Sequence, residues 1–161
     1  MSSHGDHENW MEQAFREAEK ALAKGEVPVG AVVVYEGRVI GRGHNLVETL
    51  QDPTAHAEML ALTAAANALA SWRLNDAVLY VTLEPCPMCM GALLLARISS
   101  LVYGATDPRY GACGSVLDLA ACKELNTGLN VVGGVLAERS SALLRDFFAS
   151  MRKRAPAESK N

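Results

Sequence analysis

No apolar run in this 161-residue chain approaches the roughly 20 residues that a membrane-crossing helix needs, so a transmembrane segment is not expected. The segment from Met1 to Trp10 is polar and acidic and lacks an apolar core, which argues against a secretory leader and makes the cytoplasm the simplest location. Internal repeats, linkers and low-complexity stretches are missing too. A single domain over residues 1–161 is expected, with 1–7 and 155–161 as flexible tails. Cysteine is scarce, at four residues, and without an export signal these are better read as ligands or free thiols than as a disulfide framework. Cys86 and Cys89 form a C-x-x-C pair. Cys113 and Cys122 stand alone beside small apolar neighbours, as buried thiols do.

An excess of positive charge is lacking as well, since the net charge is −3. The distribution is uneven, however. The last 17 residues hold five cations against two acids, so they carry +3 and the other 144 carry −6. Arg152, Lys153 and Arg154 are the densest cluster. Such a cluster suits phosphates, and it equally suits a solvated helix end whose cations complement the macrodipole.

Half of the residues are hydrophobic and a fifth are charged, the profile of an ordinary globular domain. Trp10, Ala14, Phe15, Ala18 and Leu22 fall at helical spacing, and Gly25 and Pro28 close that helix. Val29 to Tyr35 reads as a buried strand, Glu36-Gly37 as a tight turn, and Arg38 to Asn45 as the hairpin partner. After a loop, Asp52-Pro53-Thr54 carries start signals for a helix reaching Leu69. Ala77 to Leu83 is a third strand, Pro87 to Arg97 an apolar helix, and Ser99 to Tyr103 a fourth strand. Leu129 to Val135 is a fifth strand, and Glu138 to Arg154 a last helix with Leu143, Leu144, Phe147, Phe148 and Met151 on one face. A hairpin followed by alternating helices and strands predicts a three-layer α/β/α sandwich with a mixed five-stranded sheet. The segment from Met88 to Ile98 is apolar nearly all round. A lone domain covers only one of its faces, which suggests a homodimer.

Two segments carry chemistry: His56-Ala57-Glu58 and Pro85-Cys86-Pro87-Met88-Cys89, each at the start of a helix. Cys86 and Cys89, three apart, share one face of a first turn, where the dipole and unpaired amides favour thiolates. Two thiolates and an imidazole make a good zinc site. Along a helix flank His56 and Glu58 would diverge by about 200°, so both can serve one site only if the helix end sits over it. Two thiolates and a neutral imidazole cancel the metal's charge and leave it a weak acidifier, so a neighbouring base is needed, and Glu58 fits. Alternatives stand beside this. A strand, C-x-x-C and helix in order also describe a thioredoxin-like redox site. A structural zinc site would take Cys113 or Cys122 as fourth ligand. Taken singly, Glu58 also reads as a helix-start carboxylate favoured by the dipole, and His56 as a satisfied core histidine. The combination favours a zinc-dependent deaminase, because H-x-E followed by P-C-x-x-C is the signature of those enzymes.

Longer strings sharpen the resemblance: E-V-P-V-G-A-V-V-V (Glu26 to Val34), H-N (His44-Asn45), D-P-T-A-H-A-E (Asp52 to Glu58), L-Y-V-T-L-E-P-C-P-M-C (Leu79 to Cys89) and G-A-T-D-P-R-Y-G-A-C-G-S (Gly104 to Ser115), with Phe147-Phe148 on a basic last helix. From about His7 to Arg154 the chain resembles the bacterial tRNA-specific adenosine deaminases (the TadA family), within the cytidine deaminase-like superfamily. Riboflavin-pathway deaminases have a longer insertion between their cysteines, and free cytidine deaminases usually have C-A-E in place of H-A-E. The resemblance implies one zinc per chain on His56, Cys86 and Cys89, proton transfer by Glu58, and conversion of adenosine to inosine and ammonia at the wobble position of a tRNA anticodon. It also implies that Asn45 and the backbone around Ala57 hold the base, that Val27, Pro28 and Val29 wall its pocket, and that Asp107 contacts the neighbouring ribose. The plainer alternatives are that Asn45 simply ends a strand and that Asp107-Pro108 simply starts a turn. Cys113 and the Pro108-Arg109-Tyr110 run depart from the usual pattern. The runner-up is a free nucleobase or nucleoside deaminase, such as guanine deaminase, on the same scaffold.

Overall fold

The computed structural model describes residues 4–126 and 128–154. Helix α1 spans His4–Ala23 and buries Met11, Ala14, Phe15, Ala18 and Ala21 along one stripe. It begins ahead of the expected start at Trp10. Residues 4–7 are therefore helical rather than part of the flexible tail expected over 1–7, and the His7 ring lies 2.9 Å from the Tyr80 hydroxyl. Residues 155–161 lie outside the described residues.

Strands β1 (Gly30–Tyr35) and β2 (Arg38–His44) form the expected hairpin. Its turn residues Glu36 and Gly37 both take positive φ, 49° and 71°, matching the right-handed twist of the strands. Strands β3 (Val78–Leu83), β4 (Ser100–Ala105) and β5 (Asn130–Val132) complete a sheet in the order β2-β1-β3-β4-β5. β1 runs antiparallel to β2 and β3, whereas β3, β4 and β5 are parallel. The connections fit this mixed sheet: the two-residue turn makes β1 and β2 antiparallel, and the crossover through Pro87–Leu95 makes β3 and β4 parallel. A long loop with one 3-10 turn at Leu119–Ala121 carries the chain from β4 to its parallel neighbour β5.

Alternation along the central strands divides the core in two. Ala31, Val33, Leu79, Val81 and Leu101 pack with Ala57, Ala61, Ala65, Met90 and Leu93 on one face. Val32, Val34, Tyr80 and Val102 pack with Met11, Ala14 and Phe15 on the other. Helices α3 (Ala57–Leu69) and α4 (Pro87–Leu95) supply the first layer, and α1 and α5 (Ala137–Arg154) supply the second. The expected three-layer sandwich is present. No helix among the described residues is long and apolar enough to cross a membrane.

Two details differ from the sequence expectation. Residues Val47–Leu50 form a one-turn helix, α2, within the expected loop, because the Glu26 carboxylate accepts the Glu48 and Thr49 amides at 3.0 and 3.2 Å. Asp52-Pro53-Thr54 does not start α3. Asp52 Oδ1 instead accepts the Thr54 amide at 2.8 Å and its hydroxyl at 2.7 Å, closing a local turn, and the helix starts after His56.

Helix α3 lies directly on β2. A Cβ at Gly41 would stand 2.3 Å from the Ala61 carbonyl oxygen, and one at Gly43 would stand 2.3 Å from that of Ala57. Glycine on the strand and alanine every fourth residue on the helix permit this approach. Gly41→Ala and Gly43→Ala should each destabilise the fold by about 1–3 kcal/mol through overpacking. Gly37→Asn, in an open turn that tolerates asparagine, should be close to neutral. Urea unfolding midpoints check the contrast, and equal effects at Gly41 and Gly37 would refute it.

Candidate active site

The carboxyl ends of β2, β3 and β4 and the start of β1 share one edge of the sheet, where ligands of open α/β sheets are generally found. Helices α3 and α4 begin there. His56 is the N-cap of α3 and Cys86 the N-cap of α4, both extended, with ψ of 153° and 172°. Pro87 follows at the first helical position, where its missing N–H costs nothing. Because His56 precedes the helix and Glu58 is its second residue, the 200° divergence does not apply. Both side chains reach one site.

His56 Nδ1 lies 3.5 Å from both Cys86 Sγ and Cys89 Sγ, and the three donor atoms all fall within 4.8 Å of one another. A tetrahedral metal with bonds of about 2.3 Å to sulfur and about 2.1 Å to nitrogen has N···S edges of about 3.6 Å. The cluster therefore fits a small tetrahedral cation with borderline-soft preferences. Cys113 and Cys122 stand apart from it among the described residues, so the structural site with either as fourth ligand is set aside. Cys122 Sγ instead points to Glu124 Oε2 at 3.5 Å.

Without metal, the donors share charge unevenly. A hydrogen bond from the Cys89 thiol, helped by His56, holds the Cys86 thiol down to about 4, against the effect of burial. Cys89, the partner that keeps its proton, is pushed up by the same bond and by burial. His56 is raised by its hydrogen bond to Cys86. Glu58 is almost fully buried, at 4 % exposure, and burial raises its carboxyl above the usual range. A carboxyl so raised takes and gives protons nearer neutrality than an exposed one.

These groups open into a cavity of about 1110 Å³. Val27, Val29, Asn45, Ala57 and Asp107 line it; Pro28 does not, being buried beside it. Asn45 already works for the backbone: its Oδ1 accepts the Val47 amide at 3.2 Å and its Nδ2 donates to the Val27 carbonyl at 3.4 Å. An amide has four hydrogen-bonding positions, so capacity remains for a purine edge. Asp107 likewise starts a turn, its Oδ1 accepting the Arg109 and Tyr110 amides at 3.0 and 3.3 Å.

Leu144, Phe147, Phe148 and Met151 of α5 also line the cavity. The sequence showed this stripe but not its destination. Arg152, Lys153 and Arg154 follow Met151 directly and are exposed, so the basic cluster adjoins the cavity wall rather than lying remote from it. Sequence reasoning also missed Glu26 and Glu84, two buried carboxylates that hold cavity-lining segments.

The family model for MafB19-like deaminases matches residues 5–152. The tRNA-specific adenosine deaminase of Bacillus subtilis is 49% identical over 154 residues, 96% of each chain. This chain belongs to the tRNA-specific adenosine deaminases, within the MafB19-like deaminase family. A chloroplastic tRNA(adenine(34)) deaminase of Arabidopsis thaliana is 56% identical over 112 residues, which cover 70% of this chain and 9% of that one. Among solved structures, one from a study of A-to-I editing by tRNA:A34 deaminases superposes with a TM-score of 0.81 at 43% identity, covering 84% of this chain and 99% of its own. A guanine deaminase from Nitrosomonas europaea superposes at 0.78 with 28% identity, covering 88% and 84%. The deaminase family and the His-Cys-Cys cluster agree, and the redox reading of the C-x-x-C pair gives way to them.

In protein stripped of metal, Cys86 should alkylate ahead of Cys89, Cys113 and Cys122 at mildly acidic pH. Its rate should stay flat until pH falls towards about 4. Mass spectrometry after iodoacetamide treatment reads this directly, and first labelling at Cys113 or Cys122 would contradict the charge distribution described above.

Proposed function

We propose that this enzyme hydrolyses the exocyclic amine of adenosine at the wobble position of a tRNA anticodon, giving inosine and ammonia, with zinc on His56, Cys86 and Cys89. The observation that carries the reading is the His-Cys-Cys cluster beside a buried carboxylate at the foot of a cavity lined by apolar and hydrogen-bonding groups. Identity to the Bacillus subtilis enzyme over nearly the whole chain supports the tRNA substrate. Guanine deaminase, the second reading, has the support of a similar fold at lower identity.

Zinc bound there would supply Lewis acidity to the attacking water. Glu58 removes a proton from that water and delivers one to the departing amine. Its raised pKa suits both transfers, because it makes the acid form reachable near working pH. Asn45 offers its remaining donor and acceptor to the purine. The first amides of α3 have no backbone acceptor within the helix; the Glu58 carboxylate accepts its own amide, which leaves that of Ala57 to bind the base. Val27 and Val29 exclude water from the base, and Asp107 meets the adjoining ribose. A base in an anticodon loop enters at modest cost, since no duplex pair is broken. Arg152, Lys153 and Arg154 meet backbone phosphates, offsetting an otherwise acidic surface. A second copy of the chain covers the outer face of α4, where Leu95 is 73 % exposed.

Glu58→Gln should retain zinc and fold while losing about 10²–10⁴-fold or more in turnover. Near-normal turnover in zinc-loaded protein would remove Glu58 from this role, and zinc loss would recast it as a metal-holding residue. Replacing Arg152, Lys153 and Arg154 together with alanine should weaken tRNA binding. It should also flatten the salt dependence, by up to about 0.7 in log–log slope per lost phosphate contact. Assays on tRNA bearing a wobble adenosine, alongside free adenosine, adenine, guanine and cytidine, separate the two readings. Preference for free guanine with no effect of the triple substitution would favour the second.

A further inference from the structure

Glu84 sits between Leu83, the last residue of β3, and Pro85-Cys86. It is 2 % exposed, yet the chemistry outlined above makes no use of it. Its carboxylate is saturated. Oε1 accepts the Asp107 amide at 3.1 Å and the Ser115 hydroxyl. Oε2 accepts the Cys113 amide at 3.0 Å and the Ser115 amide at 3.2 Å. All four donors belong to the loop that follows β4. That loop folds tightly over the carboxylate: a Cβ on Gly111 would stand 2.3 Å from Glu84 Oε2 and 2.5 Å from the Asp107 carbonyl oxygen.

The bonds run on from there. Glu84 holds the Asp107 amide, and the Asp107 carboxylate holds the Arg109 and Tyr110 amides. Residues Thr106 to Tyr110 form one wall of the cavity. We propose that Glu84 is a positioning residue for substrate: through the Asp107 amide it fixes the Thr106–Tyr110 wall against the metal-bearing start of α4. The strand-to-helix junction itself has independent ties. The Glu84 amide donates to the Ala105 carbonyl at 2.8 Å, and the Ala112 amide donates to that of Pro85 at 2.8 Å. Glu84 therefore acts on the wall, and backbone bonds hold Cys86.

An isosteric glutamine separates these roles. Its single carbonyl oxygen serves best at the Oε2 position, where two backbone amides converge. The NH₂ then takes the place of Oε1. The Ser115 hydroxyl can turn to accept from it, but the Asp107 amide is a donor that cannot, and is left facing another donor. Glu84→Gln thus releases Asp107 selectively.

The proposal rests on the deaminase reading for its kinetic arm alone. In zinc-loaded protein, Glu84→Gln should accelerate hydrogen–deuterium exchange across residues 106–115 about tenfold, with β3 and α4 unchanged and zinc content intact. KM for a wobble-adenosine anticodon stem-loop should rise about tenfold, and kcat should change far less. Asp107→Ala should raise KM as well, and the double variant should be little worse than Asp107→Ala alone, since both act through one contact chain. Ser115→Ala, which removes one tether and keeps the Asp107 bond, is the milder variant should Glu84→Gln not fold. It should speed exchange in the same segment and raise KM by a smaller factor. Unchanged exchange in the loop, additive KM effects, or zinc loss with a fall in kcat would each overturn the proposal. Failure of the wild type on wobble adenosine would overturn the substrate reading instead, and KM would then be read on whichever purine it turns over.

Discussion

Helices α3 and α4 begin side by side at one edge of the sheet, and the donor atoms of the site come from residues where helical hydrogen bonding has barely started. An N-cap residue has extended backbone while its successors are helical, so its side chain departs along the helix end instead of the flank. His56 and Cys86 both exploit this. Neither side chain makes a capping hydrogen bond, although capping is the usual task at that position. Both are released for other partners, and the amides behind them provide a positive field that favours thiolate at Cys86 and negative charge near Glu58. The distance between the two helix ends governs whether three donors converge on one point. That distance is set by packing: α3 lies against the glycines of β2, and Met90 and Leu93 of α4 are buried in the core cluster that also holds Ala57, Ala61, Leu79 and Leu101.

Much of this was legible in the sequence because it is local. Period-two alternation in β1 and β3, the Glu36-Gly37 turn, the C-x-x-C spacing and Pro87 at a helix start are each decided within a few residues. Helical geometry also says that His56 and Glu58 can share a site only at a helix end, and that is where both lie. The start itself was misplaced. Asp52-Pro53-Thr54 has the composition of a cap, but Asp52 spends its oxygen on Thr54 in a turn, and composition cannot separate the two uses. Helix α2 was invisible because its first amides are satisfied by Glu26, which lies 22 and 23 positions earlier in the chain. The role of α5 was hidden for a related reason. An apolar stripe announces burial, and it does not say whether the stripe meets a core or borders a cavity.

The buried carboxylates divide by what surrounds them. Glu17, Glu26 and Glu84 are each met by donors from elements distant in sequence. At Glu17 and Glu84 burial alone would raise the carboxyl, but hydrogen bonds, to Lys20 and His44 in one case and from Ser115 and loop amides in the other, bring it below the usual range. These two stay ionised and act as fixed anchors. Glu58 lies at the opposite end of the scale, where burial wins and the proton is held more tightly. One chemical group is thus pushed towards its ionised or its protonated form according to how many donors the fold aims at it.

The stripe on α5 has a thermal consequence. Phe148 and Met151 are 41 % and 46 % exposed beside the cavity, so water touches aromatic and thioether surface wherever no ligand covers it. Covering that surface removes apolar hydration and lowers the heat capacity of the complex. The phosphate contacts proposed for the neighbouring cations would act through counterion release, which is governed by salt. On that proposal two adjacent stretches of a single helix would answer to different external variables: one would couple ligand affinity to temperature, and the other would couple it to ionic strength.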